Sequence, residues 1–138
     1  MRIVVVEDEA PIREGMAKLL SKINPEYELV GKAADGEAGY QLIRELNPDL
    51  VIMDIRMPKM DGIAMMKKLR EENIKCKAII LSAYSEFQYA QKAIELKADS
   101  YLLKPIKIPE LKSALKQAER EISEDQGTEQ IFSVENIM

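Results

Sequence analysis

Short unbroken apolar runs recur along the chain. Each is followed by a few turn residues and then by apolar positions spaced three and four apart. A strand covered on both faces carries a continuous apolar run, whereas a helix covered on one face carries a stripe at that spacing. The runs predict strands over 2–6, 49–53, 77–81 and 100–103, with a weaker one over 28–33 that is interrupted by Gly31 and Lys32 as an edge strand tolerates. Helices fill the intervals. Pro11 suits a first turn, and Ile12, Met16, Leu19, Leu20 and Ile23 form the stripe of a helix over 10–23. Leu42 and Leu46 mark a second helix that stops near Asn47 and Pro48. Asp61 caps a third, whose Ile63, Met66 and Leu69 face inward, and a fourth covers 85–96. The fifth presents Leu111, Leu115, Ala118 and Ile122, after which no stripe continues.

Strand and helix thus alternate five times, the signature of stacked βαβ units and a parallel sheet. Right-handed crossovers with helices on both faces give an α/β, doubly wound sheet of strand order 2-1-3-4-5. In such sheets a site lies beyond the carboxyl ends of the strands, where the winding direction reverses, here between the first and third strands. The polar residues fall on that edge: Glu7 and Asp8 end the first strand, Asp54 the third, Ser82 the fourth, and Lys104 the fifth before Pro105. Singly, each has a bland reading as a helix cap, a strand end or a turn. Capping does not explain why all of them share one edge. Three carboxylates packed together repel unless a cation neutralises them. An all-oxygen set favours magnesium, which keeps several waters and leaves positions for phosphate oxygens. An ammonium at Lys104 can reach a dianionic phosphoryl group as a point charge.

Composition narrows the classes further. The 138 residues, 46% of them hydrophobic, can bury one sizeable core. With 24 acidic against 20 basic side chains there is no broad cationic face for a nucleic-acid backbone. The longest apolar runs fall far short of the ~20 residues of a membrane span. No secretory leader precedes the first strand, so a cytoplasmic location is expected. The lone Cys76 has no disulfide partner and reads as a silent small hydrophobe. The absence of histidine removes the usual zinc ligand, the usual general base and any phosphohistidine of the chain's own.

Four motifs carry a family resemblance: VVVEDE at 4–9, VIMDIRMPKMDG at 51–62, LSAY at 81–84 and YLLKP at 101–105. From Met1 to about Glu121 the chain resembles the receiver domain of bacterial two-component response regulators, a (βα)5 flavodoxin-like fold. The resemblance implies that Asp54 is the phosphoacceptor. It implies Mg2+ held by the carboxylates of Asp8 and Asp54 and the backbone carbonyl of Arg56, with Glu7 helping through water. Ser82 and Lys104 would contact the phosphoryl group, and Tyr101 stands where the family has an aromatic residue that turns inward on activation. The Lys104–Pro105 bond is where a cis peptide is usual. The phosphoryl donor would be a sensor histidine kinase, and the readout face the fourth helix, fifth strand and fifth helix, near Tyr84, Phe87 and Tyr89, with homodimerisation as output. Phe87 reads equally as core, and Tyr89 as the better partner contact. Arg56 and Ala83 flank the approach of the hydrolytic water.

The stretch SEFQYAQKAI at 85–94, with DIRMPKMDGI, further resembles receivers joined to AraC-type DNA-binding output domains. A receiver domain is thus expected over 1–122 and a frayed linker over 123–138, leading toward an output domain through which any DNA contact would run. An excised receiver and a stand-alone one both remain open. A signalling phosphoacceptor, rather than an enzyme acting on other substrates, is expected. A phosphatase of the haloacid dehalogenase type wants a second aspartate two residues after the first, where this chain has Arg56. A flavodoxin-like electron carrier needs a phosphate-cradling loop where Glu7, Asp8, Glu9 and Ala10 would repel anions.

Overall fold

The computed structural model describes residues 1–83 and 87–137, with side-chain environments for 1–83 and 88–124. The elements run β1 (Arg2–Val6), α1 (Ala10–Ile23), β2 (Glu28–Ala33), α2 (Gly36–Leu46), β3 (Leu50–Asp54), α3 (Gly62–Glu71), β4 (Lys77–Ser82), α4 (Phe87–Glu95), β5 (Ser100–Leu103) and α5 (Ile108–Ile137). All pairings are parallel, and the strand order is the expected β2-β1-β3-β4-β5.

Strand alternation divides the core in two. Val4, Val6, Val51, Met53, Ala78 and Ile80 point to one face, where Tyr40, Ile43, Met65, Leu69 and Ala93 of α2, α3 and α4 cover them. Ile3, Val5, Leu50, Ile52, Ile79 and Leu81 point to the other, against Met16 and Leu20 of α1 and Leu111 and Leu115 of α5. Both faces are therefore apolar, and the strands read as continuous runs for that reason.

Several boundaries differ from expectation. Asp49 lies outside β3: its carboxylate accepts the Arg2 backbone N–H at 2.8 Å, and Asp54 instead forms the last residue of the strand. In β2 the register jumps from Ile3↔Leu29 to Val4↔Gly31, so Val30 is an extra residue at the sheet's edge. The expected starts of α4 at Ser85 and Glu86, together with Tyr84, lie outside the described residues, as does the side chain of Phe87. α5 does not stop at Ile122 but continues as helix to Ile137, 30 residues in all. No proline and only Gly127 interrupt 123–137, so helical hydrogen bonding persists where the apolar stripe has ended. The frayed tail expected there is replaced by helix.

At the amino edge of the sheet α5 is fastened on both sides. The Tyr27 hydroxyl donates to Glu119 at 3.0 Å, and the Lys77 ammonium lies 3.4 Å from Glu121. Among the described residues, no helix is long and apolar enough to cross a membrane.

Candidate functional site

The carboxyl edge of the sheet gathers the polar residues. β1 runs on from buried Val6 into Glu7, whose N–H donates to Ala33 of β2 at 3.0 Å and whose carbonyl accepts from the Arg13 guanidinium at 2.7 Å. These two backbone bonds aim the Glu7 side chain inward, and it is buried. β3 delivers Asp54, also buried, and one of its oxygens accepts the Ile55 N–H at 2.7 Å. Asp8 is exposed beside them. Carboxylate oxygens of Glu7, Asp8 and Asp54 all lie within 4.8 Å of one another.

Lys104 answers this charge. Its ammonium donates to Glu7 Oε1 and to Asp54 Oδ2, both at 2.9 Å. Its backbone N–H donates to the Ser82 carbonyl at 2.8 Å, which ties the end of β5 to the end of β4. The Lys104–Pro105 peptide is cis, as expected. Burial alone disfavours the charged ammonium, but the hydrogen bonds and charges of Asp54 and Glu7 outweigh it and raise the Lys104 pKa. The Glu7 carboxyl is pushed up to about 7, first by burial; Lys104 opposes the rise and the charge of Asp54 adds to it. The metal-free cluster therefore holds more negative charge than one ammonium neutralises, which is the donor set a hard divalent cation fits.

Neither Glu7 nor Asp8 stands at the N-cap of α1: that position is Glu9, which makes no side-chain cap bond. Asp61 caps the third helix as expected, its Oδ1 accepting the Ala64 N–H at 2.7 Å.

The loop after Asp54 alternates. Ile55 and Met57 are buried, while Arg56 between them is exposed. The loop closes through the Gly62 N–H, which donates to the Ile55 carbonyl at 2.6 Å. A Cβ on Gly62 would stand 2.2 Å from the Asp54 carbonyl oxygen, so only glycine lets α3 begin this close to the acceptor strand.

Ser82 is fully buried at the end of β4, one residue past the Asp54↔Leu81 pair. Tyr101 is half-buried in β5 and packs against the core covered by α2, α3 and α4. Arg56 sends its guanidinium to α4, where Nη2 donates to the Tyr89 hydroxyl at 3.0 Å and the ring centroid lies 5.9 Å from Cζ.

Sequence reasoning missed two participants, Arg13 and Gly62, and named Tyr89 only as a partner contact. Arg13 fixes Glu7 through backbone, Gly62 permits the close approach, and Tyr89 receives Arg56. Gly62 stood within the MDG of a quoted motif and was the one with a readable signal.

The sequence model described as the response regulator receiver domain matches residues 3–116. The nitrate/nitrite response regulator protein NarL of Escherichia coli K12 is 34% identical over 116 residues, covering 84% of this chain and 53% of that protein. The positive alginate biosynthesis regulatory protein of Pseudomonas aeruginosa is 37% identical over 120 residues, covering 87% and 48%. The chain thus spans about half the length of these curated relatives. Among solved structures, the receiver domain of AraT, a response regulator from Geobacillus stearothermophilus, superposes with a TM-score of 0.80 at 35% identity, covering 91% of this chain and 97% of that one. The N-terminal domain of the Wolinella succinogenes protein WS1339 gives a TM-score of 0.80 at 36% identity, covering 91% and 98%.

Proposed function

This chain belongs to the response regulator receiver domain family, and from that premise we propose that Asp54 is its phosphoacceptor and Lys104 and Ser82 its phosphoryl contacts. The observation that carries this reading is the convergence of three carboxylates within 4.8 Å around one ammonium that bonds two of them.

Asp8 and Asp54, the Arg56 carbonyl and, through water, Glu7 would hold Mg2+. When bound, the ion supplies charge neutralisation for the incoming phosphoryl oxygens. The remaining steps belong to the chain. An Asp54 oxygen attacks phosphorus of a phosphohistidine on a sensor histidine kinase, the P–N bond breaks, and an aspartyl phosphate forms. The Lys104 ammonium, already beside Asp54, screens the charge spread over a loose transition state. The Ser82 hydroxyl follows the new dianion, and Tyr101 turns inward on the loosened side, altering the face made by α4, β5 and α5. Hydrolysis by water returns the carboxylate and inorganic phosphate.

That face supports homodimerisation as the output. Among the described residues, the large apolar side chains left exposed are Ile94, Leu103 and Ile108, one on each of those elements. The protein then acts in the cytoplasm as a signalling domain rather than an enzyme on other substrates. DNA is reached through an output domain of AraC type, as the 85–94 stretch suggests; a stand-alone receiver acting by protein contact is the alternative.

Intact mass after acetyl phosphate and Mg2+ tests the assignment. The wild type gains one adduct of about 80 Da and Asp54→Ala gains none. An adduct on the variant overturns it.

A further inference from the structure

We propose that Tyr89 is a positioning residue for the phosphoryl chemistry: its hydroxyl holds the Arg56 guanidinium on α4 while Asp54 is unmodified, and the guanidinium passes to the phosphoryl oxygens once Asp54 carries them. The inference rests on Asp54 being the phosphoacceptor.

The geometry supplies both partners. Arg56 is two residues from Asp54, a span of at most about 7 Å of backbone. Ile55 and Met57 are buried on either side of it, so the loop is anchored while the Arg56 side chain faces outward. That side chain is directed to α4, with Nη2 3.0 Å from the Tyr89 hydroxyl and the guanidinium carbon 5.9 Å from the ring centroid. Tyr89 is half-buried and packs against the core beneath α4, so its hydroxyl is a fixed acceptor on that helix.

Chemistry ranks the two partners. A phenol oxygen is neutral and accepts one guanidinium N–H. A phosphoryl dianion accepts two in parallel, and such charge-assisted bonds are roughly twice as strong as neutral ones. Tyr89 therefore holds Arg56 before phosphorylation and afterwards still takes a share of it in competition with the phosphoryl oxygens. Two consequences follow. Phosphorylation loosens one tie between the acceptor loop and α4, and the transferred guanidinium covers the phosphoryl oxygens against water.

The test is the half-life of the aspartyl phosphate, followed by intact mass after acetyl phosphate is removed. Tyr89→Phe keeps the ring but deletes the competing acceptor, so its phosphoryl group lasts about threefold longer than in the wild type. Arg56→Met shortens the half-life, and in the Arg56→Met background Tyr89→Phe changes nothing, because the two act as one unit. A purely packing role for Tyr89 would shift the melting temperature and leave this non-additive pattern in lifetime absent. Equal decay of wild type and Tyr89→Phe, or the same lengthening with and without Arg56, overturns the proposal. If the wild type takes up no phosphoryl group at all, the acceptor assignment has failed and the proposal falls with it; normal uptake with unaltered decay defeats the proposal alone.

Discussion

Lys104 places one positive charge between two buried acids, and its removal leaves them facing each other. Breaking a buried ion pair by taking away one partner costs about 3 kcal/mol or more. Lys104→Met is accordingly expected to lower the unfolding free energy of the metal-free protein, read from urea denaturation, by that order, with Mg2+ recovering part of it; an unchanged midpoint contradicts this. Glu7 gives a pH signature of unusual sign. The folded chain keeps a proton on Glu7 up to about 7, whereas the unfolded chain releases it near 4.5. Between those values folding binds a proton, so stability falls as pH rises, by at most ~3 kcal/mol. Urea midpoints of metal-free protein at about pH 5 and about pH 8 read this directly, and Glu7→Gln should flatten the difference. Mg2+ competes with the same proton, so its gain in melting temperature is expected to be larger at the higher pH. The acidic cluster itself was legible, because strand ends on one edge can be located from apolar runs alone. The Arg13 and Tyr89 contacts were not, since each joins side chains of elements whose relative placement only the folded sheet supplies.

Helices α2 and α5 show what a hydrophobic stripe records and what it leaves out. In α2 the apolar signal came from Leu42 and Leu46, which are only half-buried, while the innermost positions are Gly36, Gly39, Tyr40 and Ile43. Glycine carries no hydropathy signal, so the closest contact of this helix with the sheet was invisible in the pattern. A Cβ at Gly39 would lie 2.8 Å from both Val6 methyls. Gly39→Ala is therefore expected to destabilise by about 1–3 kcal/mol through overpacking, although alanine is the better helix former. Chemical denaturation decides which effect wins. In α5 the stripe located Leu111, Leu115 and Ala118 correctly, all buried, yet the helix outruns it because backbone hydrogen bonding needs no apolar face. Leu115→Ala, at a fully buried site, should cost about 2–5 kcal/mol.

At the scale of the whole molecule, the order β2-β1-β3-β4-β5 places α1 and α5 on one face and α2, α3 and α4 on the other. This much follows from alternation and crossover handedness and was fully readable. The surface consequence was less so, because exposure of single side chains depends on how neighbouring helices tilt. If the face of α4, β5 and α5 pairs two copies, then sedimentation velocity with acetyl phosphate and Mg2+ should show the wild type shifting from monomer to dimer. Ile94→Lys, at a side chain 76% exposed, should stay monomeric while still taking up the phosphoryl group. A dimer in that variant would move the contact elsewhere.

The anchoring of α5 by Tyr27 and Lys77 has a mechanical meaning. The helix begins at Ile108, close to the cis Lys104–Pro105 bond, and is gripped at Glu119 and Glu121 near its midpoint. At 1.5 Å per residue its 30 residues measure about 45 Å, about 17 Å of it before that grip and about 24 Å after it. Leu111, Leu115 and Ala118 bury its first stretch against the sheet, so the helix is a cantilever: its root is clamped, and the sheet sets the direction in which Ile137 is carried.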